Sequence, residues 1–397
     1  MNKFLFFLFI IIFTGCNQNS KKESLTKNKN NEFQHIIDSA AIRLINKPLI
    51  NSTSVGVVYK GEKFTGHYGE LEKTKGNPPT NKTIYEIGSL SKVLTGTLAA
   101  KAVLEEKMSL EDDVQQYLEE DYLNLSYENQ PLKIKHLLTH SSGLPNILPL
   151  RLNPLMTSDF LKQDSPSKID SILSDYDEQS FYKDLHSLEI DTIPGHNYSY
   201  STAGTELIAR ILENIYHKEF ETLLIDFLSA EIGMEETVIA LDQKKKENLA
   251  VGYHADHPEI TSPMGKLPWG AGGGIKSTVP DMLKFIGFQL DNNNIAEESH
   301  KVLKDYSNEV GVAYFWEVDS SNPKLGKYYS HHGGVPRSQC FLFIIPKHEL
   351  GIFIITNQSG KDTASKMKKA VDEIIEGVRK HNEQNLARTE KSSQGEI

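Results

Sequence analysis

Cysteine is scarce: the 397 residues contain only Cys16 and Cys340. Long apolar runs are scarcer still, since beyond the first sixteen residues no segment approaches the ~20 apolar residues that a bilayer-spanning helix needs. Basic charge is in deficit, with 43 Lys and Arg against 53 Asp and Glu, a net charge of -10 and a pI near 5.8. Without a long basic run in the middle of the chain, nucleic-acid binding is excluded, because its affinity comes mainly from Lys and Arg on phosphates. Disorder is excluded by what is present: 38% apolar residues and 9% aromatics are enough to build a core. At about 100 to 200 residues per domain, the length predicts two domains or one large domain carrying an insertion.

The exception to the polar character is the start, MNKFLFFLFIIIFTGC, with Lys3 ahead of an apolar run from Phe4 to Phe13. It reads as an export signal over residues 1–15, too short to span. Gly15-Cys16 resembles the lipobox of bacterial lipoproteins, in which cleavage before the cysteine leaves a diacylated N-terminus. Several acyl chains anchor a protein to a membrane surface where one binds only marginally, so the expected location is the cell envelope, facing the periplasm or the exterior. With Cys16 lipidated, no disulfide framework is available. Cys340 lies inside Cys340-Phe341-Leu342-Phe343-Ile344-Ile345 and reads as a packing thiol rather than a nucleophile. Residues 16–32 are polar and aperiodic and read as a flexible, lipidated tether reaching on the order of 20 Å; residues 381–397 read as a disordered tail.

Between these ends lies one body, 33–380. It opens with an amphipathic helix near Ile36 to Ile45 and with SVGVVYKGEKFTGHYG, two β-rich runs joined at Lys60-Gly61, a hairpin signature. YFWEV, CFLFIIP and LGIFIITN are strand-like near the other end. Met367, Val371, Ile374, Ile375 and Val378 recur at helical spacing. The stretch from about Leu98 to Asp256 reads as helices and loops. The expected fold is therefore mixed α/β (α+β): an antiparallel sheet flanked by helices, assembled from both ends of the chain, with an inserted all-helical subdomain at about 98–256. The active site is expected between the two parts.

Chemistry enters at Glu86-Ile87-Gly88-Ser89-Leu90-Ser91-Lys92-Val93-Leu94, where an extended stretch feeds an apolar helix. Ser89 and Lys92 sit one turn apart on one face. A serine hydroxyl becomes a nucleophile when a neighbouring base takes its proton, and a neutral amine serves. Near an unperturbed pKa of about 10.4, only about one lysine in 2,500 is neutral at pH 7, so the site must lower it by roughly three pH units, about 4 kcal/mol. Ser-x-x-Lys by itself discriminates weakly, since it recurs at Ser24, Ser165, Ser180, Ser321 and Ser365. From the motif alone, Ser89 as a helix N-cap is an equal reading.

Six phrases in order carry a resemblance: TIYEIGSLSKVLTG from Thr83, IKHLLTHSSGLP from Ile134, IPGHNYSYSTAG from Ile193, EIGMEET from Glu231, GAGGGIKSTVPDMLKF from Gly270 and SHHGGVP from Ser330. Together they resemble the serine β-lactamase and penicillin-binding family of the class C type, over roughly residues 33 to 380. The resemblance implies a β-lactamase/transpeptidase-like fold and a covalent acyl-enzyme without metal or organic cofactor. It implies Ser89 as nucleophile, Lys92 as its base partner and Tyr200 as proton shuttle, the phenolate being favoured by cations such as Lys92. Thr202 and His331 shape the second and third motifs. Gly333 and Gly334 follow His331, and the Ser89 and Gly334 N–H groups form the oxyanion hole. Two departures are visible. Thr202 stands where the second motif usually ends in Asn, offering one donor instead of two. His331-His332-Gly333 replaces Lys-Thr-Gly, the variant of DD-peptidases, D-aminopeptidases and esterases, and the weaker basicity of His331 predicts activity that varies with pH near neutrality. Arg337 reads as a solvated strand-edge residue or as a clamp for a substrate carboxylate.

The expected function is a serine hydrolase acting on D-amino-acid peptides, cell-wall stem peptides or small esters. A β-lactamase is the alternative, and a penicillin sensor that acylates without turnover is the second. A zinc site built on His136 and His140 lacks its Glu, because Leu137 stands there. Gly270 to Gly274 lacks the phosphate-binding pattern and reads as a turn leading into a helix. The expected partners are a small-molecule or peptide substrate and, through the lipid, a membrane. The sequence leaves the oligomeric state open.

Overall fold

The computed structural model describes residues 18–394 apart from residue 256. The stretch read as an export signal and Cys16 lie outside the described residues. Two units emerge, one of residues 40–373 and one made of the chain up to Ser39 together with the chain from Ile374.

The larger unit is built on an eight-stranded antiparallel sheet. Its strands run in the order Glu62–Gly69, Ser52–Tyr59, Leu350–Thr356, Ser338–Ile345, Tyr328–Val335, Trp316–Asp319, Val310–Ala313 and Lys304–Asp305. Both ends of the chain supply it, as expected. The Lys60-Gly61 hairpin is present: Tyr59 pairs with Glu62, and φ is +50° at Lys60 and +80° at Gly61. Positive φ at both central residues gives the turn whose twist matches that of the flanking strands. The helix Val279–Leu290, capped by Thr278, lies on Ser52–Tyr59 and Leu350–Thr356.

The middle of the chain supplies Ile134–Leu138, Asn153–Met156, Ser165–Leu173, Glu178–His186, Thr202–Tyr216 and Phe220–Phe227 as helices. Short two-residue ribbons pair Ser126–Tyr127 with Gln130–Pro131 and Gly252–Tyr253 with Ile260–Thr261. One contiguous apolar cluster joins these helices to the sheet. At its centre the helix Ser91–Leu104 is buried almost throughout, which its run of small and apolar residues allows.

In the other unit, the ring of Phe33 meets that of His381 edge-on at 6.3 Å, and Ile36 occupies the space beside Gly377. The helices here exceed their expected limits: Gln18–Ile45 begins inside the stretch read as a tether, and Thr363–Gln394 continues through the stretch read as a tail. Neither extension carries an apolar stripe, which is why periodicity missed them. The first holds four lysines and the second Glu, Gln, Ala, Arg and Lys, good helix formers that need no stripe. Among the described residues no helix is long and apolar enough to cross a membrane.

Candidate active site

Ser89 occupies a one-turn 3-10 segment, Gly88–Leu90, that runs straight into Ser91–Leu104. The side chain at the helix start makes no cap hydrogen bond, so the N-cap reading of Ser89 is not realised. Its half-buried hydroxyl instead meets the Tyr200 phenol. The turn is fastened from both sides. Ser91 Oγ donates to Gly88 O (2.7 Å) and accepts from Ile275 N–H (3.1 Å), while Ser338 Oγ donates to Glu86 O (2.5 Å) and Cys340 Sγ to Ile87 O (3.2 Å). Cys340 is fully buried and burial pushes its thiol pKa up, as a packing role requires.

Backbone meets backbone where this turn touches the strand Tyr328–Val335. A Cβ on Gly333 would lie 2.1 Å from Ile87 O, and one on Gly88, where φ is +52°, would lie 2.8 Å from Gly334 N. Only glycine permits that approach, which sets Gly88 against the Gly334 amide. Gly333→Ala is therefore expected to push the strand off the turn, displace the Gly334 N–H and lower kcat by about 10² to 10³-fold with little change in KM. Steady-state kinetics on an ester check it.

Lys92 is fully buried. Its Nζ donates to Gly272 O (2.5 Å) and Thr202 Oγ1 (3.2 Å) and stands 4.8 Å from the centre of the Tyr200 ring. Burial brings its pKa down to about 7, against the upward pull of Glu206. A neutral amine that donates to those two oxygens keeps its lone pair. Tyr200 departs from expectation, because burial raises its pKa well above the ordinary value and only the Ser89 hydroxyl counters this. Lys92 Nζ lies over the Tyr200 ring, and with Tyr200 held a neutral phenol, Lys92 is the one of the two that titrates near neutrality.

His331 also departs. It alternates onto the buried face of its strand, where Nδ1–H donates to His332 O at 2.8 Å. Burial and the neighbouring Lys92 hold its pKa down to about 3, so it is neutral at all working pH. The titration near neutrality that was expected of His331 belongs to Lys92. Thr202 is the first residue of Thr202–Tyr216, set by Ser201, whose Oγ accepts from Gly204 N–H at 2.9 Å.

Arg337 is neither solvated nor aimed at substrate. It is 5% exposed, forms an ion pair with Glu86 at 3.2 Å that lacks hydrogen-bond alignment, and donates to Ala250 O. Glu86 also accepts from Met264 N–H at 3.0 Å, so the pair braces a wall of the site. Arg337→Met strands a buried carboxylate and is expected to cost about 3 kcal/mol of stability, read as a lower denaturant midpoint. His136 Nδ1 accepts from Lys133 N–H and His140 Nδ1 from Ser201 N–H. Among the described residues no group of His, Cys, Asp or Glu could hold a metal ion.

Two participants escaped the sequence reading. Glu206 is fully buried, and its carboxylate accepts from the N–H groups of Trp269 (3.0 Å), Gly270 (3.0 Å) and Gly272 (2.8 Å). The glycine stretch read as a turn into a helix is thus a loop clamped by Glu206, and Gly272 O is the acceptor that seats Lys92. Thr202 and Glu206 share a helix face at i and i+4, the one local signal that pointed here. His140 is the second: its ring lies 4.5 Å from that of Tyr200, and its buried Nε2 has no hydrogen-bond partner among the described residues.

Ser89, Gly334, Thr202, Glu206 and Gly272 line a narrow cleft of about 40 Å³, walled largely by apolar side chains. The Beta-lactamase family model matches residues 40–375. Protein flp of Staphylococcus aureus (strain MRSA252) is 25% identical over 337 residues, 82% of this chain and 63% of that protein, so the chain spans under two thirds of that relative's length. A Beta-lactamase of Providencia stuartii is 22% identical over 82% of this chain and 87% of its own. Among solved structures, the Beta-lactamase/D-alanine Carboxypeptidase from Yersinia pestis superposes with a TM-score of 0.74 at 20% identity, covering 87% of this chain and 98% of that one. A class C beta lactamase from Rhodobacter sphaeroides gives 0.70 at 18% identity, covering 86% and 99%. These likenesses show the antiparallel-sheet fold, and the family match over nearly all of the larger unit shows that the chain belongs to the Beta-lactamase family.

Proposed function

We propose that this protein is a serine hydrolase that works through an acyl-enzyme on Ser89. The observation that carries the reading is the contact of the Ser89 hydroxyl with Tyr200 beside a buried Lys92 whose pKa lies near 7. Ser89 Oγ attacks the substrate carbonyl carbon, and its proton passes through Tyr200 and Lys92 to the leaving group as the carbonyl–leaving-group bond breaks. Water then attacks the acyl-enzyme, giving its proton back to Ser89 and the acid to solution. The amides of Ser89 and Gly334 face the developing oxyanion.

Small esters rank first as substrates and D-amino-acid or cell-wall stem peptides second. The support is electrostatic: His331 is held neutral and Arg337 is engaged by Glu86, so the third motif presents no fixed cation to a substrate carboxylate. Hydrolysis of β-lactams is the further reading, favoured by the name of the Providencia relative. The export signal and the lipobox at Cys16 support a site of action at an envelope membrane. The deciding experiment follows intact mass over time after mixing with a p-nitrophenyl ester and, separately, a penicillin. Ester turnover with a transient acyl adduct on Ser89 is the expected result. A lasting penicillin adduct without ester turnover would instead make the protein a sensor, and rapid penicillin hydrolysis a β-lactamase.

A further inference from the structure

Tyr200 sits where no regular structure holds it. Residues 187–201 belong to neither helix nor strand, yet the Tyr200 phenol has to stay against the Ser89 hydroxyl. The end of this stretch is fastened to the chain after the helix Ile134–Leu138. Gly195 N–H donates to Ser141 O (2.7 Å), Ser201 Oγ to Pro145 O (2.7 Å) and Thr202 N–H to Asn146 O (2.6 Å).

The fastening nearest Tyr200 comes from one residue. Ser199 N–H donates to His140 O at 2.7 Å and Ser201 N–H to His140 Nδ1 at 3.2 Å, so His140 grips the backbone on both sides of Tyr200. Its ring also packs on the Tyr200 ring at 4.5 Å, with Phe315 (5.2 Å) and Tyr198 (5.9 Å, edge-on) closing around it. His140 is 2% exposed and has φ of +55°. A residue with a Cβ rarely adopts that left-handed conformation, and such strain persists where the surroundings over-determine it.

The grip demands one form of the imidazole. Nδ1 accepts from Ser201 N–H, so the ring proton is on Nε2, and a second proton on Nδ1 would set N–H against N–H. Burial, Lys92 and His331 hold the His140 pKa well below its ordinary value, which keeps the ring in the gripping form.

We propose that His140 is a positioning residue of the proton relay: it clamps the backbone on both sides of Tyr200 and packs on its ring, and so holds the phenol against Ser89. This rests on the reading of Tyr200 as the relay for Ser89.

The test is a double-mutant cycle with Tyr200→Phe, read as kcat and KM on a p-nitrophenyl ester with the intact protein, the fold of each variant being checked by melting temperature. Gly and Asn both tolerate positive φ, but only Asn carries an acceptor, Oδ1, at the same place along the side chain as Nδ1. His140→Gly is expected to lower kcat by about 10 to 100-fold with little change in KM, the scale of a misplacement of about 1 Å. His140→Asn is expected to recover most of that loss. With Tyr200→Phe already present, His140→Gly is expected to cost less than about twofold more, because the group it positions is gone. Equal costs of His140→Gly in the two backgrounds overturn the positioning role, as does His140→Asn falling as far as His140→Gly. Should the cavity left by Gly unfold the chain, His140→Phe, which fills it and has no acceptor, takes its place in the cycle with the same outcomes. Unchanged kcat in Tyr200→Phe itself overturns the relay, and His140's role with it.

Discussion

Ser89→Ala is expected to abolish covalent labelling by a fluorophosphonate and to lower ester turnover by about 10⁴ to 10⁶-fold, the scale seen when a hydrolase loses its nucleophile. No neighbouring group can substitute. Cys340 stands close by, but its thiol is fully buried, its pKa is pushed up, and its Sγ is bound to Ile87 O. Ser91 is buried and bonded to Gly88 O and Ile275 N–H. Because Ser89 caps no helix, the variant should melt within a degree or two of the parent, so the loss reports chemistry rather than folding. Full labelling of the variant would move the nucleophile elsewhere.

The second large effect is at Lys92. With its pKa brought down to about 7, the amine is protonated and inert below neutrality and basic above it, so kcat/KM should rise with pH through about 7 and then level off. Lys92→Met should lower kcat by about 10² to 10⁴-fold and erase that limb. The titratable groups facing Lys92 are Glu206 from Thr202–Tyr216, Tyr200, His140 and, from the sheet, His331. Both histidines are held neutral across the range, His331 near 3 and His140 well below its ordinary value. Tyr200 is held above its ordinary value. Glu206 alone raises the lysine's pKa, so Glu206→Gln should move the limb to lower pH. A limb that survives in Lys92→Met would assign the base to another group. The same depression couples to folding: between about pH 7 and 10 the unfolded chain keeps a proton that the folded one has released, so the penalty this group places on folding shrinks as pH rises.

What could be read in advance was local. Alternating apolar residues and Lys60-Gly61 announced the hairpin, and the apolar runs after Cys340 and Leu350 announced its partners, since strand periodicity is written in neighbouring residues. Ser89, Thr202 and Gly334, far apart in the chain, line one cleft, with Tyr200 against Ser89 and Lys92 against Thr202. Charge states were not legible, because they depend on burial. His331 was expected to titrate near neutrality and does not, and Tyr200 was expected to favour phenolate and is held neutral. Arg337 looked like a surface residue until its partner Glu86, far away in sequence, was in place. Glu206 could be recognised only when the glycine loop folded over it.

The position of the last strand has a consequence for how the chain acquires its shape. Leu350–Thr356 is not at the edge of the sheet but between Ser52–Tyr59 and Ser338–Ile345. Thr53 Oγ1 donates to Ile355 O across 302 positions of chain. Such distant pairing makes folding slow, since the loop must close before the contact is gained. During synthesis the helical middle can collapse on its own residues, but the early hairpin waits for a strand made near the end. A ribosome that stops before position 350 therefore yields a sheet split in two, with two open edges available for pairing with other chains.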